Sequence, residues 1–182
     1  MTITIDQHIK LELTAEKHAE GLFHALDEDR AHLSEFLPWV GDMQSVDDFK
    51  RYIRNCEFMY QQHMEVSFVI MLDEQVVGRI GLHYLNMGNR NAAIGYWLNK
   101  HAEGKGIMTR CCTALINYGF GELELQRIEI KAATTNAKSQ AIPRRLGFQQ
   151  EGILRQAELV GGKFLDLALF AMLRDEWLAK AN

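Results

Sequence analysis

With 182 residues, 47% of them apolar and 24% charged, the chain has an ordinary globular composition and enough length to bury one substantial core. Its formal net charge is −4 and no block of Lys or Arg forms a stripe, so nonspecific nucleic-acid binding has little electrostatic footing. No apolar run reaches the length of a membrane span, and the opening Met1-Thr2-Ile3-Thr4 lacks the basic and apolar regions of a secretory leader, so a cytoplasmic protein is expected.

Ile9 to Leu13 alternates as a half-buried strand does, and Thr14 is placed to cap a helix running from Ala15 to about Asp29, with Ala19, Leu22, Phe23 and Leu26 at helical spacing. Phe36-Leu37-Pro38-Trp39 interrupts that pattern as an aromatic loop. Ser45 to Asp48 then reads as a capping-box-like start for a second helix carrying Phe49, Tyr52, Ile53 and Cys56. Val66–Leu72 and Val76–Tyr84 read as strands joined at Asp73-Glu74, and Ala92–Leu98 as the next strand of a meander. Beyond it, Ile107, Cys111, Leu115 and Tyr118 share one helical face, with Gly119 and Gly121 expected to mark the helix end.

Arg127 to Ala133 has a strand pattern, Asn136 opens a helix that closes at Leu146-Gly147-Phe148, and alternation returns through Phe164, Leu167, Leu169 and Ala171 after the Gly161-Gly162 turn. Strands with helices set between them predict an α/β domain. Only Pro38 and Pro143 occur, and no Pro/Gly/Ser-rich linker divides the chain, so residues 1–182 read as a single domain.

The most informative stretch is Ile94-Gly95-Tyr96-Trp97-Leu98 followed by His101-Ala102-Glu103-Gly104-Lys105-Gly106-Ile107. A strand, a glycine-bearing loop and a new helix in that order make an anion site: glycine lets backbone approach the ligand, and the first helical N–H groups point at it. The dinucleotide fingerprint fails because Thr109 stands at its third glycine, and no Walker-type phosphate loop is present.

These motifs, together with Asn136 and Ser139 at the head of a helix and Leu146-Gly147-Phe148 at its foot, resemble the GNAT superfamily of N-acetyltransferases, and within it the RimJ/RimL-type ribosomal-protein N-terminal acetyltransferases. The likeness runs from the opening strand to Trp177. It implies a mixed, mostly antiparallel sheet of about seven strands flanked by about four helices, with the neighbouring fourth and fifth strands splayed to admit a pantetheine arm. It also implies acetyl-CoA as cosubstrate, its diphosphate held by the loop His101, Ala102, Glu103, Gly104, Lys105, Gly106 and Ile107. The family commonly carries Gln or Arg at the position of His101. Related enzymes often form homodimers.

Residue by residue, the resemblance implies that the Leu98 backbone N–H meets the thioester oxygen and that Asn136 contacts the pantetheine arm. Asn136 fits an ordinary helix N-cap equally well. Many family members place a tyrosine acid where this chain has Pro143. Ser139 is then the first candidate for the proton donor, and Glu158 the candidate base. A first-turn hydroxyl and an exposed strand carboxylate are the plain alternatives for those two residues. Trp39 and Phe36 could line the acceptor groove, with Asp166 orienting the acceptor's cation, whereas Trp97 reads as core.

The acceptor is expected to be a primary amine. An α-amino group of pKa ~7.8 is about a tenth neutral at pH 7, against roughly one molecule in 2,500 for a lysine, a difference of about 3 kcal/mol that favours a protein N-terminus under a weak base. A small amine such as a polyamine or aminoglycoside, or a noncatalytic acyl-CoA-binding module, are the competing readings. The histidines are scattered, and Cys56, Cys111 and Cys112 lack zinc-site spacing, so no metal is expected. Cys111 falls on the apolar stripe and reads as buried rather than as an acyl carrier.

Overall fold

The computed structural model describes residues 1–180. The chain begins with β1 (Thr2–Thr4) and β2 (Ile9–Leu13), then a 3-10 turn at Glu16–His18, α1 (Ala19–Asp27), α2 (Arg30–Leu33), a 3-10 turn at Pro38–Asp42 and α3 (Val46–Gln61). The meander follows as β3 (Val66–Leu72), β4 (Gln75–Asn86) and β5 (Asn91–Leu98). After a 3-10 turn at Lys100–Ala102 come α4 (Ile107–Gly121), β6 (Arg127–Ala133), α5 (Ala137–Arg145), β7 (Gln149–Val160), β8 (Lys163–Leu173) and α6 (Arg174–Lys180).

One eight-stranded sheet, in the order β1-β2-β3-β4-β5-β6-β8-β7, carries all the strands, and every pair is antiparallel except β5 with β6. Alternating side chains feed two cores. Ile80, Leu82, Ile94, Leu98, Ile128, Ile130 and Phe170 pack against Cys111, Leu115 and Phe120 of α4 on one face. Val69, Met71 and Trp97 meet Leu22, Leu26, Phe49 and Ile53 of α1 and α3 on the other.

The expected sheet of about seven strands becomes eight because the three-residue β1 pairs with β2, Thr2 opposite Glu12, over a run too short to show a period. The expected four helices become six because α2 and α6 are short pieces beside the long ones. The first helix also differs at both ends. Thr14 is buried and its hydroxyl faces Ser67 at 3.3 Å, while the Ala15 N–H donates instead to His18 Nδ1 at 3.1 Å. α1 stops at Asp27 and restarts as α2. At the other end of the chain, β7 is a 12-residue edge strand with almost all its residues exposed. Neither face is buried along most of its length, so no apolar alternation announces it.

Ser45 does cap α3, accepting from the Asp48 N–H, and the Asp48 carboxylate accepts in return from the Gln44 N–H. Gly121 ends α4 as expected, but Gly119 lies inside it, where a Cβ would come within 2.9 Å of Ile128 on β6.

Candidate active site

β5 and β6 pair only from Asn91 opposite Arg127 to Ile94 opposite Ile130. Beyond Ile94, β5 keeps β4 on one side, with Leu98 opposite Gly78, while β6 follows β8 up to Ala133 opposite Leu167. A gap therefore opens between two neighbouring strands. The Asn99 N–H donates to Val77 O on the β4 side at 2.7 Å. Because successive backbone groups of a strand point to opposite sides, the N–H groups of Leu98 and Tyr96 turn into the gap. Leu98 was anticipated as such a donor; Tyr96 was not, since strand parity relative to a departing neighbour is invisible in sequence.

The loop at the head of α4 leaves its amides unevenly engaged. The His101 N–H donates to Asn99 Oδ1 at 2.8 Å, that of Ala102 to Asn99 O, and that of Glu103 to Lys100 O. Those of Gly104, Lys105 and Gly106 have no partner among the described residues. Gly104 and Gly106 sit at φ +74° and +70°, a region L side chains rarely enter, and no atom lies within 4 Å of where either Cβ would be. Gly106 is the N-cap of the 15-residue α4 and supplies no side-chain cap, so the amides of the first turn are open as well. An anion fits this cradle through free backbone donors starting at Gly104.

Two cations join the loop from positions that sequence reading passed over. Arg110 pairs with Asp6 and reaches Lys105 O, and Arg145 from the last turn of α5 donates to Thr109 Oγ1 at 3.1 Å. Arg110 falls four residues after Gly106 and was findable as a first-turn cation; Arg145 needed the tertiary packing of α5. Lys138 is paired with Glu103 at 2.6 Å.

On the α4–α5 face, Asn136 caps α5 by accepting from the Ser139 N–H at 3.0 Å. The Ser139 hydroxyl is half-buried and 3.2 Å from Tyr96 Oη, so the candidate acid stands beside the gap. Pro143 lies inside the helix, and burial pushes the Tyr96 hydroxyl well above the usual phenol range.

Glu158 lies on the opposite face. It pairs across the hairpin with Leu165, whose parity is opposite to that of Ala168 and Phe170 in the α4-side core. The side chain is half-buried and burial raises its carboxyl above the ordinary value. A bulge in β7 between Leu154 and Glu158 sets this position, and Asp166 Oδ1 pins it by accepting from the Gln156 N–H at 2.7 Å. That bond uses one oxygen of the carboxylate offered from sequence as an acceptor contact. The 3-10 turn carrying Trp39 packs against β7, and Trp39 and Phe36 are both half-buried. Trp39 stacks on Tyr52 at 6.4 Å and tilts against Trp97 at 6.2 Å, while Trp97 is a core residue as expected.

A splayed strand pair, an uncapped helix head beside it, and a serine hydroxyl and a carboxylate on opposite faces together suit acyl transfer. The description "Acetyltransferase (GNAT) domain" matches residues 8–149. The chain belongs to the GNAT acetyltransferase family. YdaF of Bacillus subtilis (strain 168), named a candidate ribosomal N-acetyltransferase, is 37% identical over 177 residues, covering 97% of each chain. The solved structure of RimL, a ribosomal-protein alpha-N-acetyltransferase in complex with coenzyme A, superposes with a TM-score of 0.92 at 25% identity, over 97% of this chain and 99% of that one. A microcin self-immunity acetyltransferase in complex with acetyl-CoA and AMP gives 0.90 at 27% identity, over 94% and 95%. This GNAT protein is thus an acetyl-CoA-dependent N-acetyltransferase with the single α/β fold of its family.

Proposed function

We propose that the enzyme acetylates the α-amino group of a protein N-terminus, of the ribosomal-protein type, by direct transfer in a ternary complex. The observation that carries the reading is the gap between β5 and β6, with backbone N–H groups turned into it, Ser139 on one face and Glu158 on the other. An acyl donor entering from the α4–α5 face would meet an amine arriving from the α1–α3 face. The likeness to RimL and to YdaF supports an N-terminal acceptor.

In this scheme the loop from His101 to Ile107 holds the diphosphate, its free amides from Gly104 onward making the bonds, and Asn136 and Ser139 flank the pantetheine arm. Glu158 takes a proton from the attacking amine as the N–C bond forms. Leu98 N–H, joined by Tyr96 N–H, donates to the carbonyl oxygen as it gains negative charge. When the C–S bond breaks, Ser139 donates a proton to the departing thiolate and regains one from water, while Glu158 releases the amine proton to solvent; the products are an amide and a free thiol. The raised carboxyl of Glu158 brings its basicity closer to that of the amine it serves. Trp39 and Phe36 wall the acceptor side, and Asp166 serves it indirectly through the β7 bulge. Three buried, unpaired cysteines suit the reducing cytoplasm.

A screen of peptides with free N-termini against spermidine and an aminoglycoside, read as acetyl-CoA-dependent thiol release, tests the acceptor class. Turnover that depends on residues beyond the first supports the peptide reading. Equal or better turnover of the small amines overturns it.

A further inference from the structure

Ser139 and Pro143 are four residues apart in α5, the spacing at which a helical N–H donates to a carbonyl. Proline has no N–H, so the Ser139 carbonyl loses its partner from within the helix. The Tyr96 hydroxyl, arriving from β5, occupies that place: it donates to Ser139 O at 3.0 Å and stands 3.2 Å from Ser139 Oγ. The phenol has one proton to share: directed at the carbonyl, it leaves the Tyr96 oxygen to accept from the resting serine hydroxyl, and turned to Oγ it donates to the serine oxygen as that hydroxyl gives its own proton to the thiolate. One side chain thus engages both oxygens of Ser139, while its own backbone N–H faces the gap.

We propose that Tyr96 is a positioning residue for Ser139: its hydroxyl takes the carbonyl that Pro143 leaves open and fixes the Ser139 side chain at the edge of the β5–β6 gap. The proposal rests on the reading of Ser139 as proton donor. Proline at position 143 then does two things together. It offers no side-chain proton of its own, and it frees the carbonyl that anchors Tyr96. Neither Tyr96 oxygen nor proton is consumed in the reaction. Its effect is to hold the serine where the thiolate forms.

The test is a double-mutant cycle on the full chain. Wild type, Tyr96→Phe, Ser139→Ala and the double variant are compared for kcat, read as thiol release with a peptide bearing a free N-terminal serine, and for acetyl-CoA Kd by calorimetry. Loss of one neutral hydrogen bond in the transition state predicts a fall in kcat of about tenfold for Tyr96→Phe, with Kd within about twofold of wild type. In the Ser139→Ala background the same change should cost almost nothing, because residues acting through one another are not additive. An equal fall in both backgrounds overturns the role of Tyr96 while leaving Ser139 as donor. Wild-type turnover by Ser139→Ala removes the donor itself, and the proposal with it.

A second cycle reads stability and needs no acceptor. Tyr96→Phe should lower Tm in the wild-type background, where Ser139 O is left without a donor, and lower it less in Pro143→Ala, where a helical N–H is restored. An equal loss in both backgrounds overturns the link to Pro143.

Discussion

Asn99 and Glu28 are joined by a hydrogen bond of 2.9 Å from Asn99 Nδ2 to Glu28 Oε2, made by a side chain that is almost wholly buried. The same nitrogen donates to Ala25 O at 3.1 Å, and Asn99 Oδ1 accepts from the His101 N–H at 2.8 Å. One amide therefore links the end of α1, which leads toward Phe36 and Trp39, to the turn that enters the Gly104–Gly106 loop.

Replacing Asn99 by Ala breaks these bonds and leaves buried polar groups unpaired, at a cost of about 1–3 kcal/mol each where water cannot enter. The expected result is lower stability in urea together with weaker acetyl-CoA binding. A variant that loses stability but binds acetyl-CoA as before would show that the loop keeps its shape without Asn99.

For Gly106→Ala the open space around the residue means that no clash is created, and the penalty is purely conformational. Holding a non-glycine residue in the left-handed region costs about 1–2 kcal/mol. Acetyl-CoA affinity is expected to weaken about tenfold if the loop relaxes to relieve the strain. Acetyl-pantetheine, which lacks the diphosphate, should be insensitive to the change; equal weakening of both ligands would place the effect elsewhere.

Glu158→Gln is expected to reduce kcat by about 10²-fold, the lower end of general-base contributions, with acetyl-CoA Kd nearly unchanged. Stability should move the other way. Burial raises the folded-state carboxyl of Glu158, so folding is favoured while the group is protonated and that advantage is lost as pH rises through the folded value. The Gln variant should therefore melt higher than wild type at neutral pH, with the gap closing in acid. A lower Tm at neutral pH would contradict this balance.

The pH profile separates base from substrate. An N-terminal amine of pKa ~7.8 must be neutral to attack, which gives kcat/KM a tenfold fall per pH unit below that value. Glu158 must be ionised as well, and burial raises its carboxyl, so the fall should steepen toward two protons at a pH above the ordinary carboxylate value. In Glu158→Gln only the first limb should remain; a steepening that survives the substitution assigns the second proton to another group.

On β4, opposite Trp97, buried Arg79 meets Glu65 at 2.6 Å and lies over the Tyr52 ring at 4.8 Å. Burial alone would raise the Glu65 carboxyl, but His83 and Arg79 more than offset it and hold the group below its usual range. Its stabilisation is present above the unfolded carboxylate pKa and is lost as pH falls through the lowered folded value. Glu65→Ala should cost about 3–5 kcal/mol in denaturant unfolding at neutral pH, because it strands a buried guanidinium. Replacing both partners with Met should recover much of that loss; failure to recover would mean the pair does more than neutralise itself.

Much of the site was legible because its signals are local. Gly104 and Gly106 declare a loop needing positive φ, Asn136 and Ser45 cap the helices they precede, and apolar-rich runs separated by turns mark β3, β4 and β5. Cys111 and Trp97 fell on apolar faces and are buried there. Each of these depends on a few consecutive residues, or on one face of one element, so a linear chain carries them. Together with family resemblance they fixed the class of chemistry and the cosubstrate.

What the tertiary structure alone decided is where distant segments meet or part. The departure of β6 from β5 after Ile94 turns the Tyr96 and Leu98 amides into a gap, and no property of either strand by itself encodes that divergence. The contact between Tyr96 and Ser139 spans 43 residues, and Arg145 reaches Thr109 across 36. The raised carboxyl of Glu158 comes from burial on an edge strand that shows no apolar period. Periodicity reports which face of an element is dry, but hydrogen bonds and desolvation depend on through-space distances, which exist only once the chain has closed on itself.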